Sequence, residues 1–333
     1  MDEGGSLIKT SLENLSVDAV RNLGFPYLVL DNTYLSDFEK LTLLDSKSLL
    51  RVVDNKKIVC SKNLKQSRLA SVFFPHMLST KVNNYRTPME AFNNDVALIR
   101  SMKLAKKYNR TVTTAGLRSM LQMVSHTQGV SNFKPDVSKF IYDEYGNSGK
   151  VYDFSAGYGG RLVGFLASSC IEYVGVDVNK VNFPCYEKLI NAYKTDNKIT
   201  KLICIGSEDY IENQEYFDLA FSSPPYFNKE HYSEDDEQSY IKFPTYDDWL
   251  GGYFYNTISN TVNMLKNNGV LALNIKDIKN GKKVFPLESD ALSVCLQLNI
   301  KHIDTLYMEL NTTLNSGSGK IKKLEPIFIF KKV

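Results

Sequence analysis

The chain has 333 residues, 43% hydrophobic and 23% charged, which is enough apolar material for a full core and a length that suits one large domain with a smaller companion. No run approaches the roughly 18 uninterrupted apolar residues of a membrane helix, and the opening MDEGGSLIKT is acidic and polar where a secretion signal is basic and then apolar, so a soluble, cytoplasmic protein with no membrane partner is expected. The five cysteines, Cys60, Cys170, Cys185, Cys204 and Cys295, stand far apart with no CxxC pair and no histidine cluster, so reduced thiols and no metal are expected.

The net charge of +3 conceals an asymmetry. Residues 51 to 134 hold 15 lysines and arginines against 3 acidic residues, a surplus of +12, and the remainder carries −9. Each cation near a phosphate releases condensed counterions, so such a block has the composition of a polyanion-binding surface; a solvated basic face with no partner has the same composition. Within it Lys103, Lys106, Lys107 and Arg110 form a cluster that is the candidate grip on a nucleic-acid backbone.

In chain order, residues 1 to about 130 read as a mainly helical accessory domain, from helix-spaced patterns over Pro88 to Tyr108 and Thr113 to Val124. Tyr27 to Leu30 and Arg51 to Cys60 are short strand candidates inside it. A further helical pattern, Pro135 to Tyr145, opens the second domain, residues 131 to 333. From about residue 150, apolar runs of four to eight residues alternate with amphipathic stretches, the signature of strand-helix units around a parallel sheet. Seven strands are predicted, over Val151 to Phe154, Tyr173 to Asp177, Leu202 to Ile205, Asp218 to Ser222, Val270 to Ile275, His302 to Leu310 and Pro326 to Phe330. Helices are predicted over Gly160 to Ser168, Pro184 to Tyr193 and Asp247 to Leu265. The fold class is therefore α/β, a doubly wound sheet with an N-terminal helical addition.

The first of these strands runs into Asp153-Phe154-Ser155-Ala156-Gly157-Tyr158-Gly159-Gly160, with an apolar helix directly behind. A glycine-rich turn at a strand end lets backbone amides approach a ligand closely. The dinucleotide fingerprint GxGxxG would require glycine where Leu162 stands, which disfavours NAD or FAD. The second strand ends in Asp177, 20 residues after Gly157, where a carboxylate can accept both hydroxyl hydrogens of a ribose or cap the next helix. After the third strand, Ser207 and Glu208 can read an adenine amino group or serve as a cap.

This series resembles the class I S-adenosylmethionine-dependent methyltransferases, over residues 131 to 333. The resemblance implies a seven-stranded Rossmann-like methyltransferase sheet that closes with a hairpin, and S-adenosyl-L-methionine as cofactor. It implies that Asp153, Ser155, Ala156, Gly157 and Gly159 hold the methionine end of the cofactor, Asp177 the ribose, and Ser207 or Glu208 the adenine. Ser207 departs from the pattern, since many members carry Asp there.

The fourth strand runs out into Ser222-Ser223-Pro224-Pro225-Tyr226-Phe227. A nucleobase amino nitrogen is a poor nucleophile because its lone pair is delocalised into the ring. A side-chain oxygen at Ser223 and a backbone carbonyl at Pro224 can accept the two amino hydrogens and favour a pyramidal nitrogen, and Pro225 stiffens the turn. Tyr226 would stack on a base swung out of its helix, with Phe227 beside it. A plainer reading ends a strand with two prolines and buries the tyrosine.

The element resembles the (D/N/S)PP(Y/F/W) motif of amino-methyltransferases. The surrounding SSPPYFNKEHYSEDDEQSY, YDDWL, NNGVLALNIKD and EPIFIFKK resemble DNA N4-cytosine and N6-adenine methylases, including those of phages. That resemblance implies DNA as partner and methyl transfer to an exocyclic amino group, and it assigns Phe133 and Pro135, ahead of the first strand, to the methionine end of the cofactor. Rival readings are an amino-methyltransferase of RNA or of a protein glutamine, whose motif usually begins with Asn, and a non-catalytic nucleic-acid-binding protein on the same fold.

Overall fold

One nine-stranded sheet, four of whose strands end at aspartate, serine or asparagine, organises the larger of two compact units. The computed structural model describes residues 12, 14–62, 66–109, 112–193, 195, 197–280, 283–310 and 323–333. The sheet strands are β1 (Leu50–Val53), β2 (Lys56–Val59), β3 (Lys150–Asp153), β4 (Glu172–Asp177), β5 (Ile199–Cys204), β6 (Phe217–Ser222), β7 (Leu265–Asn274), β8 (Ile300–Glu309) and β9 (Leu324–Lys332). They lie in the order β1-β2-β8-β9-β7-β6-β3-β4-β5. Strands β5, β4, β3, β6 and β7 are parallel, and β9 runs antiparallel to both β7 and β8. All seven predicted strands are present as β3 to β9, and the α/β class is as expected. β3 and β6 are buried almost throughout, as central strands of a parallel sheet are, whereas β5, at the edge, is half exposed.

The sheet is two strands wider than predicted. Asp54 and Asn55 both adopt positive φ, 48° and 60°, which closes β1 and β2 as a tight hairpin whose twist matches its strands. β2 then pairs in parallel with β8. The helix Asn32–Thr42 also belongs to this unit: Phe38 stacks on Tyr193 with ring centres 4.5 Å apart, and Arg68 pairs with Asp37. Residues 32–73 therefore pack with the sheet, and the expected division at residue 130 is corrected by this hairpin and helix.

The smaller unit draws on Met1–Asp31, Phe74–Ser131 and Glu230–Tyr232. Its helices Val17–Asn22, Pro88–Asn93, Asp95–Asn109 and Thr114–Leu121 bury Val20, Phe92, Leu98, Leu117 and Leu121. Tyr27 to Leu30 form no strand. The helical pattern over Pro88 to Tyr108 is two helices, because Asn94 turns extended at ψ 117° and its side chain caps the Ala97 amide at 3.0 Å. Among the described residues, no helix is long and apolar enough to cross a membrane.

Candidate functional site

β3 has β4 on one side and β6 on the other, so the chain changes direction across the sheet after β5, and the carboxyl ends of β3 and β6 are the switch point at which open α/β sheets bind ligands. The glycine turn leaves β3 and the Ser-Pro-Pro-Tyr turn leaves β6, so the fold brings the two motifs together. Gly157 and Gly159 take φ of +57° and +74°, a region that an L side chain resists. A Cβ on Gly157 would meet nothing nearer than the Ser155 carbonyl at 3.6 Å, so it is the backbone conformation and not crowding that favours glycine there. At Gly160 a Cβ would come within 2.3 Å of the Phe133 carbonyl. Only glycine therefore lets residues 132 and 133 cross here, where Asn132 accepts from the Gly160 amide at 3.1 Å and donates to the Tyr158 carbonyl at 2.6 Å. Phe133 is half-buried, edge-on to Phe221, with the Arg161 guanidinium 5.6 Å from its ring centre. Pro135 is buried as the first residue of the helix Pro135–Tyr145, so its place is structural.

Asp153 is fully buried, and its place corrects the expected contact with the cofactor. Arg161 grips it with two hydrogen bonds, at 2.9 and 3.1 Å, while Tyr173 donates at 2.7 Å and Ser222 at 2.8 Å. The same guanidinium donates to the Ser155 carbonyl. Burial works against the Arg161 charge, but the adjoining carboxylate outweighs it and raises the pKa. Asp153 thus anchors the glycine turn from beneath and, through Ser222, ties it to the start of the Ser-Pro-Pro-Tyr turn. Arg161, Tyr173 and Ser222 were not singled out from sequence; an arginine on the first turn of the helix after the glycines was the available signal.

Ala156 is buried and donates to the Val176 carbonyl at 2.9 Å, which joins the turn to β4. Asp177, at the end of β4, accepts from the Gly157 amide at 2.8 Å, the Asn179 amide at 2.7 Å and the Asn182 side chain at 3.3 Å, while the Tyr186 hydroxyl, 3.1 Å away, has its shorter contact, 2.5 Å, with the Gly157 carbonyl. Burial pushes its carboxyl up to about 6, although these hydrogen bonds oppose the shift. A carboxylate offers about four lone-pair sites, so a diol here must displace the longest contact, that of Asn182.

Ser207 and Glu208 are both buried after β5. Ser207 shares a 2.9 Å hydrogen bond with Thr257, and Glu208 pairs with Lys242 at 3.0 Å, so Lys242 engages the carboxylate expected to read adenine. The π-helical stretch Trp249–Tyr255 carries Tyr253 to the same place, its hydroxyl 3.4 Å from Ser155 Oγ. Inserted π turns recur at functional sites. Tyr253 and Thr257 are the residues of this corner that sequence reasoning missed.

Within the Ser-Pro-Pro-Tyr turn, Ser223 and Pro225 are half-buried and Pro224 is buried. Tyr226 is only 6% exposed, with the Lys229 ammonium 5.2 Å from its ring centre and its hydroxyl donating to Glu325 at 2.6 Å. Its ring is not an open stacking face in this conformation. Phe227 corrects the expectation more strongly: at φ +50° it turns inward, 4% exposed, and packs against Tyr246, Trp249 and Phe285 with ring centres 5.2 to 6.2 Å apart. It belongs to the core that supports the turn.

The basic block is divided between the units, residues 51–73 and 132–134 in the larger and 74–131 in the smaller. Several of its cations are engaged internally, Lys57 with Asp304, Arg68 with Asp37 and Lys81 with Glu90, while Arg118 donates to the Pro26 carbonyl. Lys103, Lys106 and Lys107 are exposed on the helix Asp95–Asn109, three and four residues apart and so on one face. Arg110 lies outside the described residues.

No protein-family model and no curated protein matches the chain. Among solved structures it is similar to the [4+2]-cyclase SpnF, with a TM-score of 0.43 and 12% identity over 60% of this chain and 81% of that one. It is also similar to a SAM-dependent methyltransferase from Methanosarcina mazei, with a TM-score of 0.38 and 11% identity over 55% and 92%. A third is the 1,6-didemethyltoxoflavin-N1-methyltransferase from Burkholderia thailandensis, with bound S-adenosylhomocysteine, at a TM-score of 0.37 and 11% identity over 55% and 71%. Likenesses this distant assign neither substrate nor reaction to the chain.

Proposed function

We propose that the chain is an S-adenosyl-L-methionine-dependent methyltransferase that modifies the exocyclic amino group of a base in DNA, N4 of cytosine or N6 of adenine. The observation that carries this reading is the junction of the two motifs. Ser222, which opens the Ser-Pro-Pro-Tyr turn, hydrogen-bonds at 2.8 Å to the same Asp153 that anchors the glycine turn. The residues present fit the cofactor: glycines at positive φ in the turn, the Asp177 carboxylate at the next strand end, and the Ser155, Ser207 and Tyr253 hydroxyls near them. When bound, the cofactor supplies a methyl group activated by its sulfonium. The protein's part is to bind and orient: Ser223 Oγ and the Pro224 carbonyl accept the amino hydrogens, and the nitrogen lone pair is directed toward the methyl.

The test is nucleoside mass spectrometry on DNA from cells that make the protein, with N4-methylcytosine or N6-methyladenine as the expected product. Ser223→Ala should slow methyl transfer by about 100- to 1,000-fold while S-adenosylhomocysteine binds as before. Neither modified base in DNA, or full activity in Ser223→Ala, would discard the reading.

Cofactor affinity should depend on pH. Asp177 titrates at about 6 in the free protein, and only the ionised carboxylate accepts two hydroxyls. Binding therefore favours the deprotonated form, is full at pH 7 to 8 and weakens by up to about tenfold per pH unit below 6. Asp177→Ala should lose about 10- to 150-fold in affinity and the pH dependence with it. Calorimetry with S-adenosylhomocysteine from pH 5 to 8 checks both; a flat profile for the parent protein would refute the ribose assignment.

A further inference from the structure

A line of hydrogen bonds leads from Ser223 back into the sheet. Ser223 Oγ donates to Tyr226 Oη at 3.4 Å, and Tyr226 Oη donates to Glu325 Oε1 at 2.6 Å. The other Glu325 oxygen accepts from the Lys276 ammonium. Glu325 is buried at the second position of β9, 7% exposed, and the end of the neighbouring β7 fixes that strand start where Asn274 donates to the Pro326 carbonyl at 2.9 Å. At 3.4 Å the Ser223 bond is longer than the O–H···O optimum of about 2.7 to 2.8 Å, so it orients the hydroxyl more than it stabilises the turn.

Counting hydrogens fixes the direction of this line. The Lys276 ammonium can only donate and a carboxylate only accept. Tyr226 has one hydroxyl hydrogen, and both Glu325 and the Asn274 carbonyl, 3.5 Å away, are acceptors for it. With that hydrogen directed to Glu325, the Tyr226 oxygen presents lone pairs toward Ser223 and draws the Ser223 hydrogen to itself. Ser223 Oγ is left with lone pairs for a substrate group.

We infer that Glu325, backed by Lys276, is a positioning residue that sets the hydrogen-bond polarity of the Ser-Pro-Pro-Tyr turn. It makes Ser223 an acceptor, which selects a substrate group that brings an N–H and rejects a carbonyl in the same place. This rests on the reading of the site as one for amino groups, and it adds a residue 99 positions from Tyr226 that decides which bases are admitted.

The experiment uses the full chain with S-adenosylhomocysteine and pairs of single-stranded oligonucleotides that differ at one base, cytosine against uracil and adenine against hypoxanthine. The native chain should prefer the amino member of one pair by about tenfold or more. Glu325→Gln keeps the shape but supplies an N–H that can face Tyr226, so the preference should fall by about threefold or more, toward the part that the Pro224 carbonyl alone maintains, with S-adenosylhomocysteine affinity unchanged. Tyr226→Phe removes the middle link and should have the same effect, and the double variant should be no worse than Tyr226→Phe alone. A native chain with no preference, or a preference that is undiminished in Glu325→Gln, overturns the inference. Methyl transfer to the same oligonucleotides is followed in parallel. A native chain that prefers the amino base, loses the preference in Glu325→Gln and yet transfers no methyl supports the polarity and sinks the catalytic reading instead.

Discussion

Replacing Arg161 with methionine should destabilise the fold by about 3 to 5 kcal/mol, the usual consequence of leaving one member of a buried ion pair without the other. Asp153 is fully buried, and the Arg161 side chain is 7% exposed, so water cannot take over the lost contacts. The variant retains the Tyr173 and Ser222 hydroxyls and the Ser155 amide on the carboxylate, which satisfy its lone pairs but not its charge. The guanidinium also holds the Ser155 carbonyl, so the glycine turn should loosen as the stability falls. Urea denaturation of parent and variant measures the first effect through the shift in midpoint at similar slope. A loss below about 1 kcal/mol would place the pair among those worth little and leave the turn without its anchor.

The second large effect concerns DNA. Converting Lys103, Lys106 and Lys107 to alanine should flatten the dependence of log affinity on log salt by about 0.9 for each phosphate contact removed, approaching 3 if all three touch the backbone. The three lysines lie on one exposed helix face, where alanine is a good helix former, so the fold should tolerate the change. S-adenosylhomocysteine affinity should be untouched, since these residues belong to the smaller unit and the cofactor residues to the larger. Equal salt slopes and equal affinity for parent and triple variant would reduce this face to solvated charge.

The sequence by itself determined the strands and the two turns of the site, because both are local. Glycines at 157, 159 and 160 mark a turn wherever it lies, and runs ended by Asp153, Asp177 and Ser222 mark strand ends without knowledge of their neighbours. The tertiary structure decided what each polar group faces. Asp153 reads as a ligand residue until Arg161, Tyr173 and Ser222 converge on it, and Phe227 reads as a substrate contact until its positive φ turns it into the aromatic core. The β1–β2 hairpin has no sequence signal for joining a sheet whose other strands begin about 90 residues later, since edge pairing is set by which backbone lies exposed and not by residue type. Glu325 is the plainest case: only the antiparallel return of β9 beside β7 sets its carboxylate against Tyr226, and no local pattern links residues so far apart.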